Sequence, residues 1–461
     1  MLSVKDIQTV YFIGIGGIGM SALARYFHSL GKNVSGYDKT PTPLTRQLEA
    51  EGISIHYEEN LELIPRQAEL VVYTPAVPAT HAELVFYREA GSVVMKRSEV
   101  LGVISNSSFN ICIAGTHGKT TTTSMTAHLL RHSGYGCNAF LGGIAVNYQT
   151  NFWSDPRNVA VIEADEYDRS FLRLYPDIAV ISSMDPDHLD IYGTEEALQE
   201  AFVDFSKRLK PGGTLFSKHG LPKGSALKAD RHFTYSLQNE AADVYATDIT
   251  MQDGSYLFSV VAGEVKIEGF KLHMGGMHNV ENAVVSIAIA HQLGISDEKI
   301  RAAVEAFRGV KRRFEYVIKN REMVFVDDYA HHPEELKALI NGAKALFPGR
   351  KCTVIFQPHL YSRTRDLAKE FSASLDLADE VILLPIYPAR ELPMEGVSSE
   401  LISAAMEQGR VVVVEKEDLL EYLRLNYVPF IQDESGALLI TAGAGDIDSL
   451  VDPVKMLLES K

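Results

Sequence analysis

The stretch Ala114-Gly115-Thr116-His117-Gly118-Lys119-Thr120-Thr121 lies between a short apolar run, residues 109–113, and a helix-like segment ending near His132. A glycine turn between a strand and a helix can hold a row of phosphates. Its backbone N–H groups point at phosphate oxygens, and the helix N-terminus adds partial positive charge. Lys119 brings a point charge, and the Thr120 hydroxyl can ligate Mg²⁺. The usual loop has a glycine five residues before its Gly-Lys pair, where Ile113 stands here. The loop is therefore a shortened Gly-x-x-Gly-Lys-Thr. A chance triplet in a plain turn is the competing reading, and the flanking strand and helix favour triphosphate.

Two acidic runs point to a metal near that loop. Glu163-Ala164-Asp165-Glu166-Tyr167-Asp168 follows the apolar run 159–162, and Asp185-Pro186-Asp187-His188-Leu189-Asp190 follows 178–184. Carboxylates at strand ends beside a phosphate loop suit a hard, oxygen-preferring cation, with His188 as a further ligand. Either run alone could be a surface acid patch capping the next helix. Two on one expected sheet favour metal.

A second glycine turn, Gly14-Ile15-Gly16-Gly17-Ile18-Gly19, follows the apolar run 10–13 and precedes a helical pattern over 20–30. A strand over 33–37 then ends at Asp38. This is the spacing of a nucleotide-binding β-α-β unit, in which Asp38 could bond a ribose or a base edge. Alone it reads as a nicotinamide-dependent dehydrogenase, yet the geometry requires only a pyrophosphate close to a helix start. Further on, His278, Asn279 and Asn282 share nearly one face of an expected helix and could read an adenine edge, with Asn279 as a plain N-cap the alternative. Arg313 closes the basic stretch 308–313 and could reach a phosphate. Beyond it, Asp327-Asp328-Tyr329-Ala330-His331-His332-Pro333 and Gln357-Pro358-His359-Leu360-Tyr361-Ser362-Arg363-Thr364-Arg365 each follow an expected strand. Two histidine-bearing loops with Arg363 and Arg365 favour a carboxylate-bearing ligand.

The elements that must position these residues alternate strand and helix. With 461 residues, about three domains of ~150 residues each are expected. The breaks fall at 1–108, 109–312 and 313–461, and residues 212–271 read as antiparallel hairpins added to the central sheet. The class is α/β: a Rossmann-like first domain, a central phosphate-loop domain and a Rossmann-like third. A net charge of −16 disfavours nucleic acid and anionic membranes. Cys112, Cys137 and Cys352 are far apart, without metal or disulfide spacing, and read as buried thiols of a reducing compartment. The first residues lack a basic-then-apolar leader, and no run is long enough to span a bilayer, so a cytoplasmic setting is expected.

One triphosphate site, one site for a nucleotide-linked substrate and one for a small anion suit an ATP-dependent ligase. The motifs, in their order, resemble the Mur ligases of bacterial peptidoglycan synthesis. The carriers are Phe12-Ile13-Gly14-Ile15-Gly16-Gly17-Ile18-Gly19-Met20-Ser21, Gly115-Thr116-His117-Gly118-Lys119-Thr120-Thr121-Thr122, Glu163-Ala164-Asp165-Glu166, Met277-His278-Asn279-Val280 with Asn282-Ala283, Arg312-Arg313-Phe314, Asp327-Asp328-Tyr329 with His331-His332-Pro333, and Gln357-Pro358-His359. The resemblance implies that ATP phosphorylates the carboxylate of UDP-N-acetylmuramate and that the amine of L-alanine attacks the acyl phosphate. The nearest rival implied is a recycling ligase that adds a preformed tripeptide to the same nucleotide sugar.

By resemblance, residues 115–121 with Asn279, Asn282, Arg313 and Asp327 serve ATP. Lys119, Glu163 and His188 are the catalytic set, and Thr120, Glu163 and His188 ligate Mg²⁺, or Mn²⁺. Gly14, Gly16, Gly17, Ile18, Gly19, Met20, Ser21 and Asp38 serve the UDP substrate, and Tyr329, His331, His359 and Arg363 the amino acid. Leu360 stands where the family often has Arg, Tyr167 where Ser is common, and Ala330 where Gly is common. A monomer or homodimer is expected.

Overall fold

The computed structural model describes residue 4 and residues 6–389, 391–406, 410–430 and 436–460, and the side chains of Asp190 and Phe430 lie outside that description. The side chain of Asp190, the last acid of the second acidic run, and most of the N-terminal stretch read for a leader thus lie outside the description. Among the described residues no helix is long and apolar enough to cross a membrane.

Short runs rich in Val and Ile with no polar alternation become strands buried on both faces, and these are parallel strands flanked by helices. The first sheet has five parallel strands in the order Ser54–His56, Asn33–Tyr37, Thr9–Ile13, Leu70–Tyr73, Val94–Lys96. Its central strand, Thr9–Ile13, carries the first glycine turn at its carboxyl end. From Val10 to Ile13 that strand is fully buried.

The second sheet has ten strands: Val265–Leu272, Ser255–Ala262, Val244–Gln252, Arg231–Ser236, Thr214–Lys218, Ile178–Ile181, Phe109–Ala114, Val159–Glu163, Asn138–Ala145, Thr150–Trp153. Phe109–Ala114 runs parallel to both Val159–Glu163 and Ile178–Ile181. The phosphate loop and the two acidic runs therefore leave the sheet at the same edge. Residues 212–271 divide in two. Thr214–Lys218 and Arg231–Ser236 extend the parallel sheet, and only the strands from Val244 to Leu272 follow one another as neighbours across two-residue turns at Asp253-Gly254 and Gly263-Glu264.

The third sheet runs Glu315–Lys319, Met323–Asp328, Ala437–Ala442, Lys351–Phe356, Glu380–Leu383, Val411–Val413. All its pairings are parallel except the first. The strand Glu315–Lys319 follows the basic stretch 308–313 directly. The three-domain α/β architecture is the one expected.

By compactness the chain falls into two units. One comprises the residues up to Thr247 with Ser259–Glu268 and Glu281–Val304; the other comprises Asp248–Phe258, Gly269–Val280 and the chain from Glu305. The first glycine turn and the phosphate loop belong to the first unit, and the six-stranded sheet belongs to the second.

Candidate active site

The phosphate loop is fixed by the neighbouring strand end. Ser182 N–H donates to Ala114 O at 3.0 Å, and Ser182 Oγ donates to His117 O at 2.5 Å. His117 N–H donates to Ser183 Oγ at 2.7 Å. The Thr116 hydroxyl donates to Ser183 Oγ at 3.0 Å and accepts from Asp185 N–H at 3.1 Å, so it braces the loop. Gly115 is required: its φ is +135°, and a Cβ there would collide with Ser182. Neither serine is singled out by sequence spacing, because their work depends on parallel pairing of 178–181 with 109–114.

Helix Lys119–His132 starts at Gly118 without a side-chain cap, which leaves its first N–H groups for a ligand. Lys119 Nζ lies 2.7 Å from Gly115 O and 2.8 Å from Glu166 Oε1. Thr120 Oγ1 donates to Glu163 Oε1 at 3.0 Å. The other Glu163 oxygen accepts from Gly142 N–H at 3.0 Å, and a Cβ at Gly142 would occupy the same space as that carboxylate. Burial pushes both carboxyls, Glu163 and Glu166, above the usual carboxylate range, and the Lys119 charge opposes that shift in each. Asn282 Oδ1 would stand 3.0 Å from a Cβ on Gly118, so that amide borders the loop.

His188 is placed differently from the expected ligand set. Its Nε2 faces Glu166 Oε1 at 3.9 Å and its Nδ1 faces Asp187 Oδ1 at 3.7 Å. Among the described residues, Glu166, Asp187 and His188 form the group whose ligand atoms lie within 4.8 Å of one another, while Thr120 and Glu163 form a separate pair. Among the described residues Glu166 Oε2 is buried with no hydrogen-bond partner, an orphaned acceptor that a cation would satisfy. Glu166 and Asp187 are absent from the expected site, although the spacing of Glu163 and Glu166 in one run was visible. His188 has φ 50°, a left-handed conformation uncommon outside glycine, in the run whose imidazole meets Glu166 of the first.

The first glycine turn opens into a cavity of about 550 Å³ lined by Gly14, Gly17, Ile18, Gly19, Met20 and Asp38 at one end and by Gly142, Glu163 and Asp165 at the other. Arg97 also lines it, with its guanidinium 3.6 Å from Asp165. The Asp38 carboxylate closes the turn: Oδ2 accepts from Gly16 N–H at 2.7 Å and Oδ1 from Thr40 N–H at 3.3 Å. It lines the cavity as well, and each oxygen keeps a lone pair for a further donor. Ser21 is fully buried and its hydroxyl is engaged by Ile18 O and Asn151, which removes it from the cavity wall.

In the second unit Asn279 Nδ2 donates to Gly275 O at 2.7 Å, tying the start of helix Met277–Gln292 to its own preceding turn. Arg313 is exposed, its guanidinium 5.2 Å from the Tyr329 ring. The arginine that faces Asp327 is Arg312, at 3.9 Å. Asp327 is buried and accepts from Thr441 Oγ1 at 2.6 Å; burial raises its carboxyl to about 7.

Tyr329, His331 and His359 gather at the carboxyl ends of their strands. The Tyr329 and His331 rings are 5.2 Å apart, and those of His331 and His359 6.0 Å. Burial holds His331 below its ordinary value, and Arg363 pushes in the same direction. Among the described residues Arg363 Nη1 is buried without a hydrogen-bond partner, whereas Arg365 is exposed and its Nε is paired with Asp366 at 2.7 Å. Of the two arginines, Arg363 is the one that holds a buried, unsatisfied donor, which a carboxylate would satisfy.

A dehydrogenase has no use for a phosphate loop facing two acidic strand ends, and a simple ATPase has none for a second glycine turn opening on the same acids. Together they define an ATP-dependent ligase. Residues 9–108 match the Mur ligase family catalytic domain, residues 113–290 the Mur ligase middle domain and residues 312–445 the Mur ligase glutamate ligase domain. The chain belongs to the Mur ligase family. It is 49% identical over 460 residues to the UDP-N-acetylmuramate–L-alanine ligase of Porphyromonas gingivalis, covering 98% of this chain and 99% of that one. It is 47% identical over 470 residues to the enzyme of the same name from Cytophaga hutchinsonii, covering 100% and 99%. Among solved structures it is similar to the UDP-N-acetylmuramate–alanine ligase of Thermotoga maritima, with TM-score 0.82, 29% identity and coverage of 98% and 100%. A murein peptide ligase from Psychrobacter arcticus shares the fold at TM-score 0.66 and 23% identity, covering 98% and 99%.

Proposed function

We propose that this ligase joins L-alanine to the carboxylate of UDP-N-acetylmuramate, through an acyl phosphate, with release of ADP and phosphate. The observation that carries the reading is the single cavity running from the first glycine turn to Glu163, a residue that also bonds Thr120 of the phosphate loop. A nucleotide anchored at the turn can extend its acid group to the place where a γ-phosphate would arrive. The full-length identity to two alanine ligases supports the choice of amine over a preformed tripeptide.

In this reading the UDP part lies against Gly14, Gly17, Ile18, Gly19 and Met20, with Arg97 as a cation on the same wall. Lys119, now held by Glu166, exchanges that carboxylate for the β- and γ-phosphates. Thr120 and Glu163 hold one divalent ion, Mg²⁺ or Mn²⁺, and Glu166, Asp187 and His188 fit a second; the unpartnered Glu166 oxygen suits that role. The ion, when bound, neutralises charge on the transferring phosphoryl group. A substrate carboxylate oxygen bonds to the γ-phosphorus as the bond to ADP breaks. The alanine nitrogen then attacks the acyl carbon, and phosphate leaves from the tetrahedral intermediate. Arg363 holds the carboxylate of alanine, beside Tyr329, His331 and His359.

The segments 1–108, 109–312 and 313–461 are assigned to UDP substrate, ATP and amino acid respectively. These substrates imply a cytoplasmic enzyme. Calorimetry with UDP-N-acetylmuramate on a chain lacking residues 1–108 tests the first assignment: no binding is expected, and retained binding would refute it.

A further inference from the structure

The first turn of the helix that follows Gly17 is held by a side chain from the other sheet. Asn151 lies on the strand Thr150–Trp153 of the ten-stranded sheet and is fully buried. Its side chain is committed to helix Ile18–Ser29. Nδ2 donates to Ile18 O at 2.5 Å and to Ser21 Oγ at 2.9 Å, and Oδ1 accepts from Arg25 Nη1. Arg25 is buried too and grips Glu51 with two bonds, 2.7 Å from Nε and 2.8 Å from Nη2. Ser21 Oγ in turn donates to Ile18 O at 2.9 Å. Ile18 lines the cavity, next to Gly17 and Gly19.

The helix also packs on this part of the sheet through apolar contacts that do not involve Asn151. Tyr26, Phe140 and Phe152 form an aromatic trio with ring centres 5.2–6.0 Å apart. Such packing is tolerant of small rotations, whereas three hydrogen bonds on one buried amide are not. The trio docks the helix, and Asn151 sets the turn at its start.

We propose that Asn151 is a positioning residue for the nucleotide-sugar substrate. Through Ile18 O, Ser21 and Arg25 it fixes the first turn of helix Ile18–Ser29 relative to the sheet that carries the phosphate loop. It thereby sets where the acid group of a nucleotide anchored at that turn falls along the cavity toward Glu163. Asn151 touches neither substrate. The inference rests on the substrate reading above.

The test is steady-state kinetics and calorimetry on the full chain, comparing wild type with Asn151→Ala, Asn151→Asp and Tyr26→Leu. Wild type is titrated first with UDP-N-acetylmuramate; if it does not bind, the substrate reading itself fails. With binding in hand, Asn151→Ala is expected to raise KM for UDP-N-acetylmuramate about tenfold or more, while KM for ATP stays within about twofold. Asn151→Asp keeps the Arg25 contact but cannot donate to Ile18 O, so it should raise the same KM and leave that for ATP alone. Tyr26→Leu should lower the melting temperature and leave the ratio of the two KM values alone, as a purely structural residue would. If Asn151→Ala does not fold, Asn151→Asp decides. A folded Asn151 variant whose two KM values stay level with wild type, or move together as in Tyr26→Leu, overturns the proposal.

Discussion

Lys119 is the residue whose removal should separate the two nucleotide sites. It bonds Glu166 and the loop carbonyl of Gly115 and is not part of the cavity at the first glycine turn. Lys119→Ala is expected to cut ADP release by about a hundredfold or more, with UDP-N-acetylmuramate binding within about twofold of wild type by calorimetry. Loss of both would show that the cavity and the loop are not separable. Arg363→Ala is expected to raise KM for L-alanine by about tenfold or more and to leave KM for ATP unchanged, because a buried guanidinium N–H without a partner is reserved for an anion. An unchanged KM for alanine would move the carboxylate contact elsewhere. These two residues stand out in the sequence because a loop lysine and an arginine after a strand end have types that suit phosphate and carboxylate. Glu166 and Asp187 were harder to choose, since a run of acids does not say which carboxylate is turned inward. That depends on contacts made in the fold, such as the Lys119 bond that Glu166 accepts. Nor does the sequence say which of two adjacent arginines meets a buried acid: neighbours in a turn face different ways, and Arg312 is the one beside Asp327 while Arg313 is exposed.

At the scale of elements, the end of strand Met323–Asp328 stores a pH dependence. The Asp327 carboxyl is raised by burial to about 7, against an ordinary 3.8. A folded state that binds its proton more tightly than the unfolded chain loses stability as pH rises between those two values. The loss is at most about 1.4 kcal/mol per pH unit, and it is complete above pH ~7. Asn at this position still accepts from Thr441 and cannot ionise. Thermal melts of Asp327→Asn should therefore show a flatter fall in stability from pH 4 to 7 than wild type, and parallel profiles would contradict the assignment. The strands 323–326, 352–356 and 437–441 were readable as continuous apolar runs. Glu315–Lys319 was hidden by its charged ends. Val411–Val413 is too short for periodicity to register, and both strands sit at sheet edges, where burial imposes little pattern. The strands Thr214–Lys218 and Arg231–Ser236 are short runs between turn residues, like hairpin strands, yet pair in parallel, because turn residues mark where a strand ends and not the direction of its neighbour.

For the molecule as a whole, the order of loops along the chain carried more than any one loop. A glycine fingerprint alone points to a dehydrogenase, and a Gly-Lys-Thr alone to an ATPase. Only their succession, followed by acids, histidines and arginines at later strand ends, describes a ligase with three substrates. The sequence could not tell that the first turn and the acids beside the second share one cavity, since that depends on how two sheets face each other within one compact unit. Nor could it assign Asn151, whose partners lie more than a hundred residues away. The central claim is that ATP is used to activate the acid group of a nucleotide sugar for attack by L-alanine. ADP release measured with UDP-N-acetylmuramate, Mg²⁺ and a panel of single amino acids alongside a peptidoglycan-type tripeptide tests it directly. The account predicts turnover with L-alanine and little with the tripeptide; turnover with the tripeptide alone, or ADP release that needs no nucleotide sugar, would contradict it.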